Sequence, residues 1–242
     1  ICSLATGRMS ISGSPTDRRV AAFTAISLAK AKEAKNAEKG TVNDVLLTVV
    51  AIALRDYLMK RDELPSRPIV VSVPVNAGEG KSEGTNTISA MLVPLPMDED
   101  DPIALLHRIH DATIEAKAFT LATGPGTIAE LAEVVPHAFM NAAGLLMTLV
   151  SMSSLQPNMQ NLIVSNVMGP PIPVFMAGAK VDAVYPMGPL MPGAGLNITV
   201  LSNMDRMDVG IMACPDLVED VWEIADALSG ALDKVHNAAL SH

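Results

Sequence analysis

The segment TVNDVLLTVVAIALRDYLMKRD, residues 41–62, carries a clear structural signal. Thr41 can cap the amino end of a helix, and Asp44 stands three residues later, where a capping box places its acid. Apolar side chains then occupy most of the helical circumference, a pattern typical of a helix enclosed by other elements. The sequence therefore predicts a buried central helix, and the rest of the chain must supply the layers around it.

The segments next to this helix alternate in type. Before it, residues 18–28 predict a strand and residues 28–39 a helix that ends at Gly40, a position suited to a left-handed cap. After it, IVVSVPVN (69–76) and TISAMLVPLP (87–96) predict two strands because they are β-branched runs bounded by turn residues. A helix from Pro102 to about Ala118 follows.

The last half of the chain mixes further helices and strands. Two helical patterns lie between Gly126 and Leu155, and their apolar core is shorter than the ~20 residues that span a bilayer. Five strand-like segments and a closing amphipathic helix, VEDVWEIADALSGALDKV, follow; the strands are NLIVSNV, PVFMAG, KVDAVYPM, LNITVLSN and MDVGIMAC. Clusters of strands interrupted by blocks of helix predict an α/β layered sandwich around a mixed β-sheet. We interpret residues 1–242 as one domain with a polar lead or linker at 1–17.

Charge and cysteine content limit the function classes. The net charge is -9, and the first 61 residues hold ten Lys and Arg against five Asp and Glu. This acidic balance argues against nucleic acid as a partner, because phosphate binding needs clustered basic residues. The two cysteines, Cys2 and Cys214, show no paired spacing, which indicates ordinary thiols in a reducing cytosol and no disulfide framework.

Motifs for several chemistries are missing from the sequence. There is no G-x-S-x-G elbow, no Walker loop and no dinucleotide fingerprint. His107, His110 and Asp111 form the only histidine cluster, HRIHD, on one face of a predicted helix. A zinc site needs three or four ligands, and no second cluster completes one, so we interpret the cluster as a solvated face and predict no metal.

Six polar residues stand inside apolar runs and are the candidate site residues: Asn43, Asp44, Ser165, Asn166, Asn197 and Thr199. Buried amides and hydroxyls must find hydrogen-bond partners. Each pair is therefore either a satisfied structural network or part of the lining of a polar reaction centre. The residues alone leave both alternatives open.

Three of these places resemble one known family. TVNDVLLTVVAIALRDYL resembles the Asn-Asp helix of the bacterial wax ester synthases/diacylglycerol acyltransferases, and NLIVSNVMGPP is similar to their strand-turn, with Met168 where members commonly have proline. The block from Ala177 to about Leu228 resembles their carboxy-terminal segment nearly throughout. Together these matches run in the family's order from about Thr41 to Leu228.

This resemblance implies a fold and a reaction. The fold is that of the CoA-dependent, chloramphenicol acetyltransferase-like acyltransferases, in which two α/β halves enclose a tunnel, and this chain would be the second half. The family transfers a fatty acyl group from acyl-CoA to diacylglycerol or a long-chain alcohol, giving triacylglycerol or wax ester. Acyl-CoA is the co-substrate, and no further cofactor is implied. The six candidate residues would then line the substrate or CoA tunnel or donate to the oxyanion.

The family's general base is a histidine of an HHxxxDG motif, which this sequence lacks. We therefore expect no catalytic residue in this chain and a partner, the amino-terminal half, that supplies the base. The alternative is a non-catalytic module that binds acyl-CoA or neutral lipid, or a scaffold on a lipid droplet. Either function predicts a cytoplasmic location with peripheral contact to the inner membrane face or to droplets.

Overall fold

The computed structural model describes residues 9–76, 88–122 and 160–241. The predicted helical patterns between Gly126 and Leu155 lie outside these residues. The described residues form four helices: α1 (Leu28–Ala37), α2 (Val42–Met59), α3 (Pro102–Ala122) and α4 (Val221–Leu240). They also form eight strands: β1 (Val20–Ser27), β2 (Ile69–Asn76), β3 (Ile88–Leu95), β4 (Leu162–Val167), β5 (Phe175–Met176), β6 (Ala179–Lys180), β7 (Leu196–Asn203) and β8 (Arg206–Ala213).

Six of these strands form one mixed sheet in the order β1-β8-β7-β4-β2-β3. The neighbours β2, β4 and β7 run parallel, and the remaining pairs are antiparallel. The expected α/β layered architecture around a mixed sheet is therefore confirmed. The carboxyl ends of the three parallel strands lie at the same edge of the sheet, as parallel pairing requires.

The two faces of the sheet differ in chemistry. Successive side chains of a strand point to opposite faces, so Val164, Ile198 and Val209 share one face with the core of the four helices. Thr199, one residue from Ile198, points to the other face. This second face carries the polar positions, and the helices of the described residues pack on the first face, apart from a ring contact of Trp222 in α4 with Phe23 on the edge strand β1. We call the second face the helix-free face.

Helix α2 is the buried centre that its sequence predicts. Thr41 caps it, and the side chain of Asp44 accepts from the Thr41 backbone while the Thr41 hydroxyl accepts from the Asp44 backbone, so both halves of the capping box are present. Thirteen of its eighteen residues are buried. The preceding turn corrects one expectation, since Lys39, with φ 56°, takes the left-handed position while Gly40 N–H donates to the Lys35 carbonyl.

The prediction of a strand at KVDAVYPM is wrong. Only Lys180 is in a strand, the two-residue β6, which pairs with the equally short β5. The chain from 181 to 190 is irregular and lies on the helix-free face of the sheet, because its polar groups bond to side chains of β7 and β8. We call residues 181–195 the crossing segment.

Residues near the start of the described chain are part of the domain. Met9 and Ile11 are buried, and the Ile11 carbonyl accepts from Gly195 N–H. Ser12 accepts a hydrogen bond from the buried Asn161 amide at 2.7 Å. Within the described ranges, no helix combines the length and the apolar character that crossing a bilayer requires.

Candidate functional site

Polar side chains gather on the helix-free face at the centre of the sheet. Ser165 of β4 pairs in parallel register with Thr199 of β7, and Asn197 precedes Thr199 by two residues. These three side chains therefore point to the same face on adjacent strands. We call Ser165, Asn197 and Thr199 the polar row.

The polar row is held by a short hydrogen-bond chain. The Thr199 hydroxyl donates to Asn197 Oδ1 at 2.8 Å, and Asn197 Nδ2 donates to the Pro189 carbonyl at 2.8 Å. Asn197 and Thr199 are almost completely buried, whereas Ser165 is half-buried. The sequence left open whether these groups are structural or catalytic; part of their hydrogen-bonding capacity is used to fix the crossing segment.

Close backbone approach explains two glycines, Gly188 in this segment and Gly210 in the strand β8 beneath it. A Cβ at Gly188 would touch the Asn197 amide, and one at Gly210 would collide with the Pro186 carbonyl. The crossing segment is thus pressed onto β7 and β8 over the polar row. A side chain at either glycine would therefore push the crossing segment away from the sheet.

A buried carboxylate anchors the other end of the crossing segment. Asp208 accepts from Val184 N–H at 2.9 Å, from Asn203 Nδ2 at 2.9 Å and from Arg206 Nε at 2.6 Å. Burial by itself would lower the pKa of Arg206, but the adjacent Asp208 carboxylate raises it above the ordinary value. Arg206 therefore stays charged and neutralises the buried acid.

Asn166 does not join the polar row, although it follows Ser165 in sequence. Alternation along β4 turns it to the helix side, opposite Val200 in register. There it lines a pocket of about 410 Å³. The remaining walls come from the start of α1, the amino end of α2, the turn at 168–171 and the end of β7.

Asn43 and Asp44 lie on the helix side as well, at the amino end of α2. Asp44 is fully buried, and its Oδ2 lies 2.9 Å from His110 Nδ1 on α3. The expectation that His110 belongs to a solvated histidine face is therefore incorrect. His107, more exposed, pairs with Glu38 at 2.8 Å. Asn43 is half-buried and has no hydrogen-bond partner in the part of the chain that the structure describes.

The six candidates thus fall into three places, and the structure adds residues that the sequence analysis did not select. Ser72 of β2 lies on the helix-free face, because it pairs with Ile163, which in turn pairs with Asn197 of β7. Ser72 is also buried. The sequence signal that could have identified Ser72 is its position as a polar residue within the apolar strand IVVSVPVN. His110 gave no such signal, because its contact to Asp44 joins residues 66 apart.

Comparison with known proteins identifies the family. The family model described as "WS/DGAT C-terminal domain" matches residues 84–236. An O-acyltransferase WSD of Acinetobacter baylyi is 36% identical over 177 residues, covering 72% of this chain and 37% of that protein. A Mycobacterium tuberculosis protein named as a diacylglycerol O-acyltransferase is 33% identical over 215 residues, covering 88% of this chain and 42% of its own length.

A solved structure agrees with the sequence matches. The wax ester synthase/diacylglycerol acyltransferase from Marinobacter aquaeolei VT8 is 28% identical with a TM-score of 0.75, over 96% of this chain and 52% of that one. This chain therefore spans about half the length of the relatives that it matches. Because the family model covers more than half of its residues, the chain belongs to the wax ester synthase/diacylglycerol acyltransferase family.

Proposed function

We propose that this chain is the carboxy-terminal half of an enzyme that transfers a fatty acyl group from acyl-CoA to the hydroxyl of diacylglycerol or a long-chain alcohol. The observation that carries the proposal is the polar row on the helix-free face of a domain from an acyltransferase family. In this proposal, the amino-terminal half covers that face, and the reaction takes place between the two halves.

The placement of histidines supports a base outside this chain. His107, His110 and His236 each pair with a carboxylate in a helix or directly after one, namely Glu38, Asp44 and Glu33. None of the histidines that the structure describes lies on the face that carries the polar row. A histidine of an HHxxxDG motif on the other half would supply the base, since the sequence of this chain lacks the motif.

The proposed chemistry is attack of a hydroxyl on a thioester. The base takes the proton of the acceptor hydroxyl while its oxygen bonds to the thioester carbonyl carbon, and the carbonyl oxygen becomes an oxyanion. Collapse of this intermediate breaks the carbon–sulfur bond, and the CoA thiolate takes the proton from the base. Donors held in a dry site stabilise the oxyanion without reorganisation.

Within the polar row, Ser165 is the strongest candidate for such a donor. Its hydroxyl has no hydrogen-bond partner among the described residues, whereas the Thr199 hydroxyl is committed to Asn197. Asn197 keeps one amide hydrogen after its bond to Pro189. We assign Asn197 and Thr199 to positioning of the crossing segment, with this remaining hydrogen as a second donor.

The test of the proposal is release of CoA thiol from palmitoyl-CoA with diolein or hexadecanol. The chain alone is compared with the same chain joined to the HHxxxDG half of a family member, and with a third protein in which both motif histidines are alanine. We expect turnover only in the joined protein with intact histidines. Turnover by the chain alone would place a base in this sequence and contradict the proposal.

The role of Ser165 has its own prediction. In the joined protein, we expect Ser165→Ala to lower kcat by roughly 100-fold, the loss typical for one oxyanion donor, with little change in KM. Thr24→Val removes a hydroxyl from the opposite face of the same sheet and is the matched control, expected to leave kcat unchanged. Equal kcat for Ser165→Ala and the parent would remove Ser165 from the mechanism.

A second candidate function, lipid binding without chemistry, is favoured by one observation. Ile172, Phe175 and Met176 expose 65%, 64% and 73% of their surface within five residues of the chain. Large apolar side chains exposed together often contact lipid or another protein. Flotation with anionic liposomes at low salt tests this function, and an unbound chain would exclude it; binding combined with no thiol release from the joined protein would favour it.

A further inference from the structure

Ser72 of β2 is a buried residue whose hydroxyl is not used by the fold. Its side chain is 7% exposed, and the hydroxyl has no hydrogen-bond partner within the described ranges. The buried Asn161, just before β4, offers none, because its side chain bonds to Val70 N–H and to Ser12. The Ser72 hydroxyl is not one of the fully enclosed unpaired atoms of the described chain, so it keeps contact with solvent. A free donor therefore opens onto the helix-free face.

Apolar side chains flank this hydroxyl on both sides. In the row across the sheet, Ser72 pairs with Leu92 of β3 and with Ile163 of β4, and the three side chains point to the same face. Methylene groups of a lipid tail can pack against leucine and isoleucine, but they cannot accept a hydrogen bond from serine. A ligand that satisfies this row needs an apolar tail and one acceptor atom.

Ser72 lies one strand away from Ser165, the proposed donor to the oxyanion. It pairs with Ile163, which precedes Ser165 by two residues on β4. With about 4.8 Å between strands and about 3.3 Å for each residue, the two serine positions are roughly 8 Å apart. Both serine hydroxyls are free, whereas the Thr199 hydroxyl is bonded to Asn197. Two donors at this separation can bind two carbonyl groups of one reacting complex.

We propose that Ser72 determines acceptor specificity, because its hydroxyl donates to an ester carbonyl of diacylglycerol and favours this acceptor over a long-chain alcohol. The inference rests on the proposed transferase function and names which of the two acceptors this chain selects. Diacylglycerol carries two ester carbonyls a few bonds from its free hydroxyl, so one of them reaches Ser72 while the reacting centre lies at Ser165. A long-chain alcohol has only methylene groups there and leaves the serine unpaired, which weakens its binding.

The experiment that tests this role keeps the shape of the acceptor and removes its carbonyls. The dioleyl diether of glycerol has the two tails of diolein but ether oxygens in place of the esters. In the protein joined to the HHxxxDG half, we expect kcat/KM for diolein to exceed that for the diether by roughly tenfold, the factor of one hydrogen bond. Ser72→Ala should bring this ratio close to one and lower the ratio of diolein to hexadecanol by the same factor. Ser72→Thr, which keeps a hydroxyl, should restore both ratios. Ratios that stay the same in Ser72→Ala would overturn the proposal.

Two further variants show whether the effect belongs to the acceptor. Ser165→Ala is expected to lower turnover of diolein and of the diether by the same factor, because both reactions form the same oxyanion. Thr24→Val, on the opposite face of the sheet, should change neither rate. Thermal unfolding of each variant verifies that it is folded. A loss in Ser72→Ala that is equal for ester and ether would assign its hydroxyl to the acyl donor, which is common to both reactions, and would overturn the proposal.

Binding gives the same comparison without turnover. The joined protein with both motif histidines replaced by alanine is titrated calorimetrically with dioctanoylglycerol and with the dioctyl diether of glycerol. We expect the ester to bind roughly tenfold more tightly than the ether, and within about twofold of it once Ser72→Ala is added. Equal binding of ester and ether before that substitution would overturn the inference, even in a protein that turns over. Ester selectivity in binding, combined with no thiol release by the joined protein with intact histidines, would contradict the transferase function alone, so the two failures are distinguishable.

Discussion

At the scale of single residues, Asp44 shows how one side chain can serve two purposes. Its Oδ2 accepts from Thr41 N–H at 2.8 Å, which completes the capping box, and also contacts His110 on α3. Its Oδ1 is buried and has no partner in the described part of the chain. A buried carboxylate that is only partly satisfied depends strongly on each contact that remains.

We therefore expect His110→Ala to lower the free energy of unfolding by about 1–3 kcal/mol, because it removes one partner from a buried charge. His107→Ala is the matched control. Its imidazole is 55% exposed, and its pair with Glu38 should contribute less than about 1 kcal/mol. Urea denaturation of the two variants measures the difference, and equal losses would show that Asp44 does not depend on His110.

At the scale of elements, the turn after β4 depends on a glycine. A Cβ at Gly169 would collide with the Ser202 carbonyl at the end of β7, so the turn must move if a side chain is added. We expect Gly169→Ala to reduce stability by about 1–3 kcal/mol, as overpacking does. Gly230→Ala in α4 meets nothing within 4 Å and should raise stability by about 0.5–1 kcal/mol, because alanine favours the helix. Guanidinium unfolding measures the change in free energy of unfolding for each variant, and changes of the same sign would contradict this account.

The contact between α2 and α4 is reinforced by an ionic cluster and should depend on pH. Glu223 of α4 bonds Lys60 at 2.6 Å and Arg61 at 2.9 Å, and these contacts, that to Lys60 foremost, lower the pKa of its carboxyl. The pKa of Glu223 is lower in the folded state than in the unfolded state. The stabilisation by its ion pairs is therefore fully present above the unfolded-state pKa and is lost as pH falls through the folded-state pKa.

We expect Glu223→Gln to reduce stability by roughly 0.5–1 kcal/mol at neutral pH, the range of partly exposed ion pairs. The difference in free energy of unfolding between variant and parent should narrow in acid, because the parent carboxyl becomes protonated as pH falls through its lowered folded-state pKa. Urea denaturation at neutral pH and at about pH 3 measures both gaps. A gap that does not shrink in acid would mean that Glu223 acts through packing and not through charge.

Elements also show where sequence patterns fail. The strands β2, β4, β7 and β8 were predictable, because β-branched alternation reflects a local backbone preference. KVDAVYPM also alternates valine with other residues but is not a strand beyond Lys180, and its Val184 N–H donates to the Asp208 carboxylate instead of to a neighbouring strand. That acid lies 24 residues away, so no window around the segment contains the reason.

At the scale of the whole molecule, the helix-free face should be the surface that the other half protects. If the proposed function holds, adding the HHxxxDG half slows hydrogen–deuterium exchange in the crossing segment, residues 181–195. Exchange in the outer turns of α4, on the far side of the sheet, should stay the same. Mass spectrometry of the two samples compares these regions, and equal protection of both would place the interface elsewhere.

The family, the fold class and the buried helix α2 were all predictable from the sequence. This was possible because capping, periodicity and β-branched runs are local, and because motifs in the family's order identify a known architecture. The sequence also selected six polar residues as candidates for a site, although it could not say what each one contacts.

The distribution of those residues over the two faces of the sheet depends on tertiary packing. Strand alternation and the register between β4 and β7 place Ser165 beside Thr199 and turn Asn166 into the pocket on the opposite face. The contact between Asp44 and His110 joins two helices that are distant in sequence. Such contacts depend on how the elements pack against one another, and packing is a property of the folded chain as a whole.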